Sequence, residues 1–361
     1  MDFMDFMALL GGLALFLYGM HMMSDGLEAA AGNRMKQILE KLTANRFLGV
    51  AVGAGITAII QSSSATTVMV VGFVNSGMMT LKQAVGVIMG ANIGTTITGQ
   101  LIALDAGAIA PFIAFLGVVL VVFVKKPKIN HVGDILAGLG ILFIGMEMMS
   151  GAMMPLRDSE TFINMMTRFS SPLLGILAGA LFTALIQSSS ASVGILQALA
   201  ASGAISFSGA VFVLFGQNIG TCITALLAAI GTSRNAKRTT IIHLSFNIIG
   251  TVVFTLLCVF IPLTDLVGAL TPGKPAAQIA NMHTIFNIVT TILLLPFGNA
   301  LAVMAKWILP DAEEPETGMH LLFLKDTKAS IDGKIGASAI HLEQTHQETN
   351  RMLVMAKKKR R

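Results

Sequence analysis

Two copies of one short polar motif interrupt otherwise apolar sequence: Gln61-Ser62-Ser63-Ser64 and Gln187-Ser188-Ser189-Ser190. Each is followed, 31 positions after its glutamine, by Asn-Ile-Gly-Thr, at Asn92–Thr95 and Asn218–Thr221. Serine is a favoured helix N-cap, and the first N–H groups of a helix have no partner within it. With the positive end of the helix dipole, such a terminus suits an oxyanion. Gln61, Ser62, Ser63, Ser64, Gln187, Ser188, Ser189 and Ser190 are therefore the expected anion ligands. No lysine or arginine lies in either motif, so the countercharge must come from elsewhere. Asn92, Thr95, Asn218 and Thr221 offer hard oxygens of the kind that bind sodium, and the intervening glycine lets a helix open its carbonyls inward. Sodium held there would neutralise the anion and link its affinity to an ion gradient.

Plainer roles exist for the same residues. Serine and threonine in membrane helices often bond their own backbone or a neighbouring helix, worth ~0.6–2 kcal/mol. Recurrence of both motifs at matched positions favours the ligand role. Serine with histidine also suggests an intramembrane hydrolase, but neither Gly-x-Ser-x-Gly nor His-Glu-x-x-His occurs, so no enzyme is expected. His243 and His283 suit either a proton relay or helix–helix hydrogen bonding. Glu147 suits either a functional or a simply exposed interfacial position.

The elements that hold these motifs come in two sets. A shift of 126 positions superposes the motifs without a gap, and 23 of the 50 positions between Gly49 and Thr98 match their partners. Of 361 residues, 54% are hydrophobic and 12% charged, with a mean hydropathy of +0.77. No charge occurs between Arg46 and Lys82, nor between Arg168 and Arg234. Uncharged apolar runs of that length belong in a bilayer. The expectation is an all-α polytopic membrane protein in the cell membrane. Asp2 and Asp5 occupy the place of a basic leader, so no cleaved signal peptide is expected. Cys222 and Cys258 both sit in apolar runs, which argues against a disulfide framework or a transition-metal cluster.

Charge also orients the chain. Basic residues gather at Arg34–Arg46, Lys82, Lys125–Lys128, Arg234–Arg238 and Lys306, as in cytoplasmic loops. Placing these inside requires crossings near 3–23, 83–104, 107–124, 132–149, 208–230, 239–261 and 279–309, with the N-terminus outside and the tail inside. Residues 47–81 and 171–206 then start and end on one side. Each divides at its Gln-Ser-Ser-Ser into apolar halves reaching ~21 Å, short of the ~30 Å hydrocarbon core. Both are expected to be re-entrant hairpins with the motif at the tip. An odd number of crossings between equivalent points makes the repeats inverted. Stretches 25–45 and 151–168 are expected as interfacial arms. The expected divisions are repeat 1 (1–125), repeat 2 (126–240), further membrane helices (241–309) and a cytoplasmic tail (310–361). The closing Lys357–Arg361 run is expected to be a solvated tail rather than a nucleic-acid contact.

With both motifs present twice and in order, the chain resembles the type II sodium–phosphate cotransporters over residues 8–309. His243-Leu-Ser-Phe-Asn247, repeated as His283-Thr-Ile-Phe-Asn287, is similar to that family's His-x-x-Phe-Asn signature. Repeat 1 has Phe-Ile-Ala-Phe-Leu-Gly at the corresponding place. The resemblance implies sodium-driven transport of inorganic phosphate, with phosphate at the hairpin tips. It further implies sodium held by Gln61, Ser64, Gln187 and Ser190 as well as the threonines, and no other cofactor. Residues 318–356 resemble the opening of a phosphate-uptake-regulator-like helical domain. A phosphate sensor signalling through that tail, a carrier of another small oxyanion, and a homo-oligomeric state stay open at this point.

Overall fold

The computed structural model describes residues 2–31, 45–104, 106–168, 171–311, 346 and 348–351. In chain order its helices are α1 (Phe3–Ala31), α2 (Arg46–Ile60), α3 (Ser63–Asn75), α4 (Leu81–Ile102), α5 (Ala110–Phe123) and α6 (Pro127–Met153). They continue with α7 (Glu160–Arg168), α8 (Pro172–Ile186), α9 (Ser189–Ala201), α10 (Phe207–Gly220) and α11 (Cys222–Ala228). The last are α12 (Arg234–Phe260), α13 (Leu263–Gly268), α14 (Pro275–Leu294) and α15 (Gly298–Ile308). No strand occurs among the described residues.

Six helical stretches are long and apolar enough to cross a bilayer: Phe3–Ala30, Leu81–Ile102, Pro127–Leu156, Phe207–Ala228, Arg234–Phe260 and Pro275–Leu294. Large apolar side chains cover the outside of the bundle, with Leu185 and Trp307 each 82% exposed. Such a surface is stable against lipid rather than water. The protein is therefore an all-helical, multi-pass membrane protein.

Two expected crossings differ from the structure. The stretch 279–309 is broken: α14 ends at Leu294, and α15 begins at Gly298. Pro296 in the break lacks the N–H that would continue the ladder. The stretch 107–124 is a short 3-10 turn (Gly107–Ile109) followed by α5, below the length of the six full spans. Of the expected arms, 25–31 simply extend α1 and 32–44 lie outside the described residues, whereas 154–168 form a 3-10 turn and α7.

Glycine sets the closest approaches. A Cβ on Gly53 would lie 2.2 Å from the Val87 carbonyl oxygen, and one on Gly90 would lie 2.1 Å from that of Val50, so α2 and α4 touch backbone to backbone. The same contacts recur 126 positions on, between Gly179 and Val213 and between Gly216 and Ile176. Small residues at helix contacts are how membrane helices gain dispersion energy where lipid supplies no hydrophobic drive. Helices α1 and α6 are also repeat equivalents, and they pack on each other. Gly12 meets Gly145 and Gly19 meets Gly138, so the register falls on one helix as it rises on the other. The two equivalent helices run antiparallel.

Residues 1–309 and 310–361 form separate compact units. In the second, residues 348–351 are helical, with an Arg351–Glu348 ion pair at 3.3 Å. Most of the expected regulator-like segment, 318–356, lies outside the described residues.

Candidate substrate and ion site

Each Gln-Ser-Ser-Ser is a helix break with local causes. Gln61 terminates α2 in the left-handed region at φ 58°, and Gln187 terminates α8 at the same angle. Among the described residues these are the two non-glycine positions with positive φ. Such strained backbone persists only where its surroundings hold it, and it concentrates at functional sites. The next residue starts the second helix: Ser62 Oγ accepts from Ala65 N at 3.1 Å, and Ser188 Oγ accepts from Ala191 N at 3.3 Å. After the first break the chain folds back, since Thr57 donates to Thr66 Oγ1 at 2.9 Å across nine positions. Ser62 and Ser188 are thus used as caps, leaving the next two serines of each motif to face inward.

The two tips meet. Ser63 Oγ lies 3.3 Å from Ser189 Oγ, and Thr95 Oγ1 lies 3.4 Å from the same Ser189 oxygen. Ser190 Oγ donates to the Gln61 carbonyl at 3.4 Å and to Thr98 Oγ1 at 3.5 Å, and Thr98 donates to Gln61 Oε1 at 2.8 Å. Across the site Thr224 donates to Ser64 Oγ at 3.2 Å. Gln61, Ser63, Ser189, Ser190, Thr95 and Thr98 are buried. The result is a cluster of hydroxyl and amide groups inside an apolar bundle, joining residues 126 positions apart. Polar groups at that depth are stable only when they satisfy one another or a ligand.

Other expected ligands fall elsewhere. Asn92 Nδ2 donates to Ile88 O at 3.0 Å, and its Oδ1 lies 3.4 Å from His243 Nε2. Asn218 does the same with Leu214 O at 3.3 Å and His283 Nε2 at 3.0 Å. Both carboxamides are therefore occupied by protein. Thr221 Oγ1 donates to the Gln217 carbonyl at 2.9 Å within its own helix. Gln187 is exposed, unlike Gln61, which is 5% exposed.

Thr98 and Thr224 belong to the cluster although they stand outside both motifs. Their signal was spacing: each lies three residues after the motif threonine, hence on the same helix face. The two His-x-x-Phe-Asn segments are likewise equivalent in space, since α12 serves Asn92 of the first repeat and α14 serves Asn218 of the second. No group of three or more His, Cys, Asp or Glu able to hold a metal ion occurs among the described residues.

A multi-pass helical bundle with an internal polar centre built from two duplicated helix breaks is the architecture of a membrane solute carrier. The chain belongs to the Na+/Pi-cotransporter family, whose model matches residues 15–151 and 155–273. It is 32% identical over 299 residues to the uncharacterized protein YqeW of Bacillus subtilis (strain 168), covering 82% of this chain and 96% of that one. It is 29% identical over 314 residues to the putative inorganic phosphate export protein YjbB of Salmonella typhimurium, covering 87% of this chain but 57% of the relative. Human sodium-dependent phosphate transport protein 2B is 37% identical over 98 residues, covering 27% of this chain and 14% of that one. No solved structure matches.

Proposed function

We propose that this protein is a sodium-coupled carrier of inorganic phosphate that binds the anion where the two hairpin tips meet. The observation that carries the reading is the Ser63–Ser189 approach at 3.3 Å, which brings two serine-capped helix N-termini to one point. Two such termini supply N–H donors, hydroxyls and favourable dipole ends to a tetrahedral oxyanion. Membership in a phosphate transporter family supports phosphate over other oxyanions. The centre holds neutral ligands, so a cation must accompany the anion into the low-dielectric interior. Sodium suits the Thr95, Ser63, Ser64, Ser189 and Ser190 oxygens. The Asn92 and Asn218 carboxamides act instead as struts that anchor α4 to His243 and α10 to His283, and α4 runs unopened through its Asn-Ile-Gly-Thr.

The repeats are read as inverted, each with a re-entrant hairpin entering from an opposite face, the N-terminus outside and the tail in the cytoplasm. Antiparallel packing of the equivalent helices α1 and α6 favours this over parallel repeats, whose equivalent helices would run the same way. Alternating access follows from the difference between the tips. Gln61 is enclosed and bonded by Thr98, whereas Gln187 is exposed. A reciprocal exchange of these two environments would open the site to the other side.

The test is radiolabelled phosphate flux in proteoliposomes carrying the purified protein, with a sodium gradient imposed inward and then outward. Flux that follows the sodium gradient in both directions is the expected result. Phosphate binding without flux would instead identify a sensor.

A further inference from the structure

Three buried oxygens in the second repeat, two in its hairpin and one on α10, have no hydrogen-bond partner: Thr183 Oγ1, Ser192 Oγ and Gln217 Oε1. Thr183 and Ser192 are 0% exposed and Gln217 is 2% exposed. A fully buried polar atom without a partner costs roughly 1–3 kcal/mol, so three in one place call for a ligand, water or ion. They do share one place. Gly179 and Gly220 bracket the contact between α8 and α10: a Cβ on Gly179 would lie 3.0 Å from Gln217 N, and one on Gly220 would lie 2.8 Å from Thr183 Cβ. Gln217 Nε2 donates to the Ser192 carbonyl at 3.0 Å, which ties α9 to the same point and fixes which end of the amide remains free.

The first hairpin provides an internal control. Its equivalents are Thr57, Thr66 and Ala91, 126 positions earlier. There the two hydroxyls bond each other at 2.9 Å, and the third position has no polar side chain. In the second repeat that direct bond is missing and α10 adds an amide oxygen, Gln217 Oε1; Gln217 also stands in the wall of an otherwise apolar cleft of about 170 Å³ beside α8, α9 and α10, which neither Thr183 nor Ser192 lines. Of the corresponding first-repeat positions, Val52, Ile56, Val70 and Val87 are buried and Met69 and Phe73 are partly buried. Where the first repeat has a closed hydroxyl pair, the second thus has three unpaired oxygens on neighbouring helices, with no acidic or basic side chain among them.

We propose that Thr183, Ser192 and Gln217 form a sodium site of their own, behind the second hairpin and separate from the serines and Thr95 at the tips. Hydroxyl and amide oxygens are hard ligands, and with no carboxylate, imidazole or thiolate among them they suit a monovalent cation rather than a divalent or transition metal. The proposal rests on the sodium-coupled reading above. A cation held between α8, α9 and α10 would clamp the second hairpin to its scaffold, while the first hairpin is clamped by its own Thr57–Thr66 bond.

The test rewrites the second cluster as the first. In Ser192→Thr/Gln217→Ala the positions match Thr66 and Ala91, a combination that this fold already accommodates. Binding of 22Na+ to purified protein without phosphate is measured with potassium holding ionic strength constant, alongside phosphate flux. The expected result is that the double variant binds one sodium fewer, or needs at least tenfold more sodium for the same occupancy. Thr183→Val should do likewise. Phosphate affinity at saturating sodium should stay within twofold of the parent. Superimposable sodium isotherms for parent and variants would overturn the site and assign the cluster to ordered water. Absence of any 22Na+ binding in the parent would overturn it as well. The flux arm is scored independently. Sodium-driven flux with unchanged 22Na+ isotherms sinks this site alone, and loss of 22Na+ binding in the variants without sodium-driven flux in the parent sinks only the coupling.

Discussion

Thr98 donates to Gln61 Oε1 at 2.8 Å, although the two stand 37 positions apart on different helices. That bond closes the first hairpin tip onto α4. Its repeat counterpart is absent, because Thr224 donates to Ser64 Oγ and Gln187 is exposed. Identical motifs thus occupy two different environments. Replacing Gln61 by alanine removes the acceptor of the buried Thr98 hydroxyl proton and should cost ~1–3 kcal/mol, or roughly 5- to 150-fold in phosphate affinity. Gln187→Ala removes an exposed amide and should cost less than Gln61→Ala in equilibrium binding. Isotherms of labelled phosphate on the purified variants measure both, and equal losses would contradict the asymmetry.

Exposure of residue 187 is itself measurable. With the partly exposed Cys258 replaced by serine and Cys222 buried, a cysteine placed there should react with a water-soluble thiol reagent faster than one at residue 61. Sodium and phosphate together should slow the reaction at 187. Equal rates at the two tips would show that the pair does not differ in the free protein.

The proposed inverted topology, which the antiparallel α1–α6 contact favours, predicts which residues share a membrane face. Cysteines at residues 45 and 82 should be modified from one face of the membrane, and those at 171 and 206 from the other. Finding the members of either pair on opposite faces would make that hairpin a crossing and remove the inverted arrangement.

The α1–α6 contact itself is sensitive to one methyl group. A Cβ at Gly19 would lie 2.4 Å from Leu142 N and 2.6 Å from Gly138 O, both backbone atoms that cannot step aside cheaply. Gly19→Val should destabilise the protein by ~1–3 kcal/mol or more. Gly55→Ala on α2, with nothing within 4 Å, is the matched control and should be close to neutral. Thermal unfolding in detergent compares the two, and a control that falls as far as Gly19→Val would refute the contact argument.

Much of this arrangement was legible in the residues because it is local. Serine caps, apolar halves too short to span and a 126-residue offset are all written along the chain, and each helix break stands at its Gln-Ser-Ser-Ser. What depended on partners distant in sequence was hidden. Nothing near Asn92 announces that His243, 151 positions away, takes its amide oxygen. Repeat 1 lacks a His-x-x-Phe-Asn of its own because α12, which follows repeat 2 in sequence, supplies that histidine. The break at Pro296 is masked in the sequence because the flanking residues on both sides are apolar. The difference between Gln61 and Gln187 could not be read from motifs that are identical; it arises from what packs against each tip.

Sodium dependence should separate Thr95 from Thr221, which the motifs make equivalent. Thr95 Oγ1 lies 3.4 Å from Ser189 Oγ, at the centre of the tip cluster, whereas Thr221 Oγ1 donates to Gln217 O within its own helix. Threonine→valine keeps the branched shape and deletes one oxygen, so packing changes little. If a cation joins phosphate at the tips, Thr95→Val should raise the sodium concentration required for phosphate binding, with affinity recovering at saturating sodium. By linkage, phosphate should raise sodium affinity by the same factor that sodium raises phosphate affinity, and that shared factor should shrink in Thr95→Val. Thr221→Val should shift the sodium requirement several-fold less. The measurement is phosphate binding titrated at a series of sodium concentrations, with potassium holding ionic strength constant. Equal shifts in the two variants would mean that Thr221 turns toward the tips when ligands bind. Sodium-independent binding in the parent would reject cation coupling at this centre altogether.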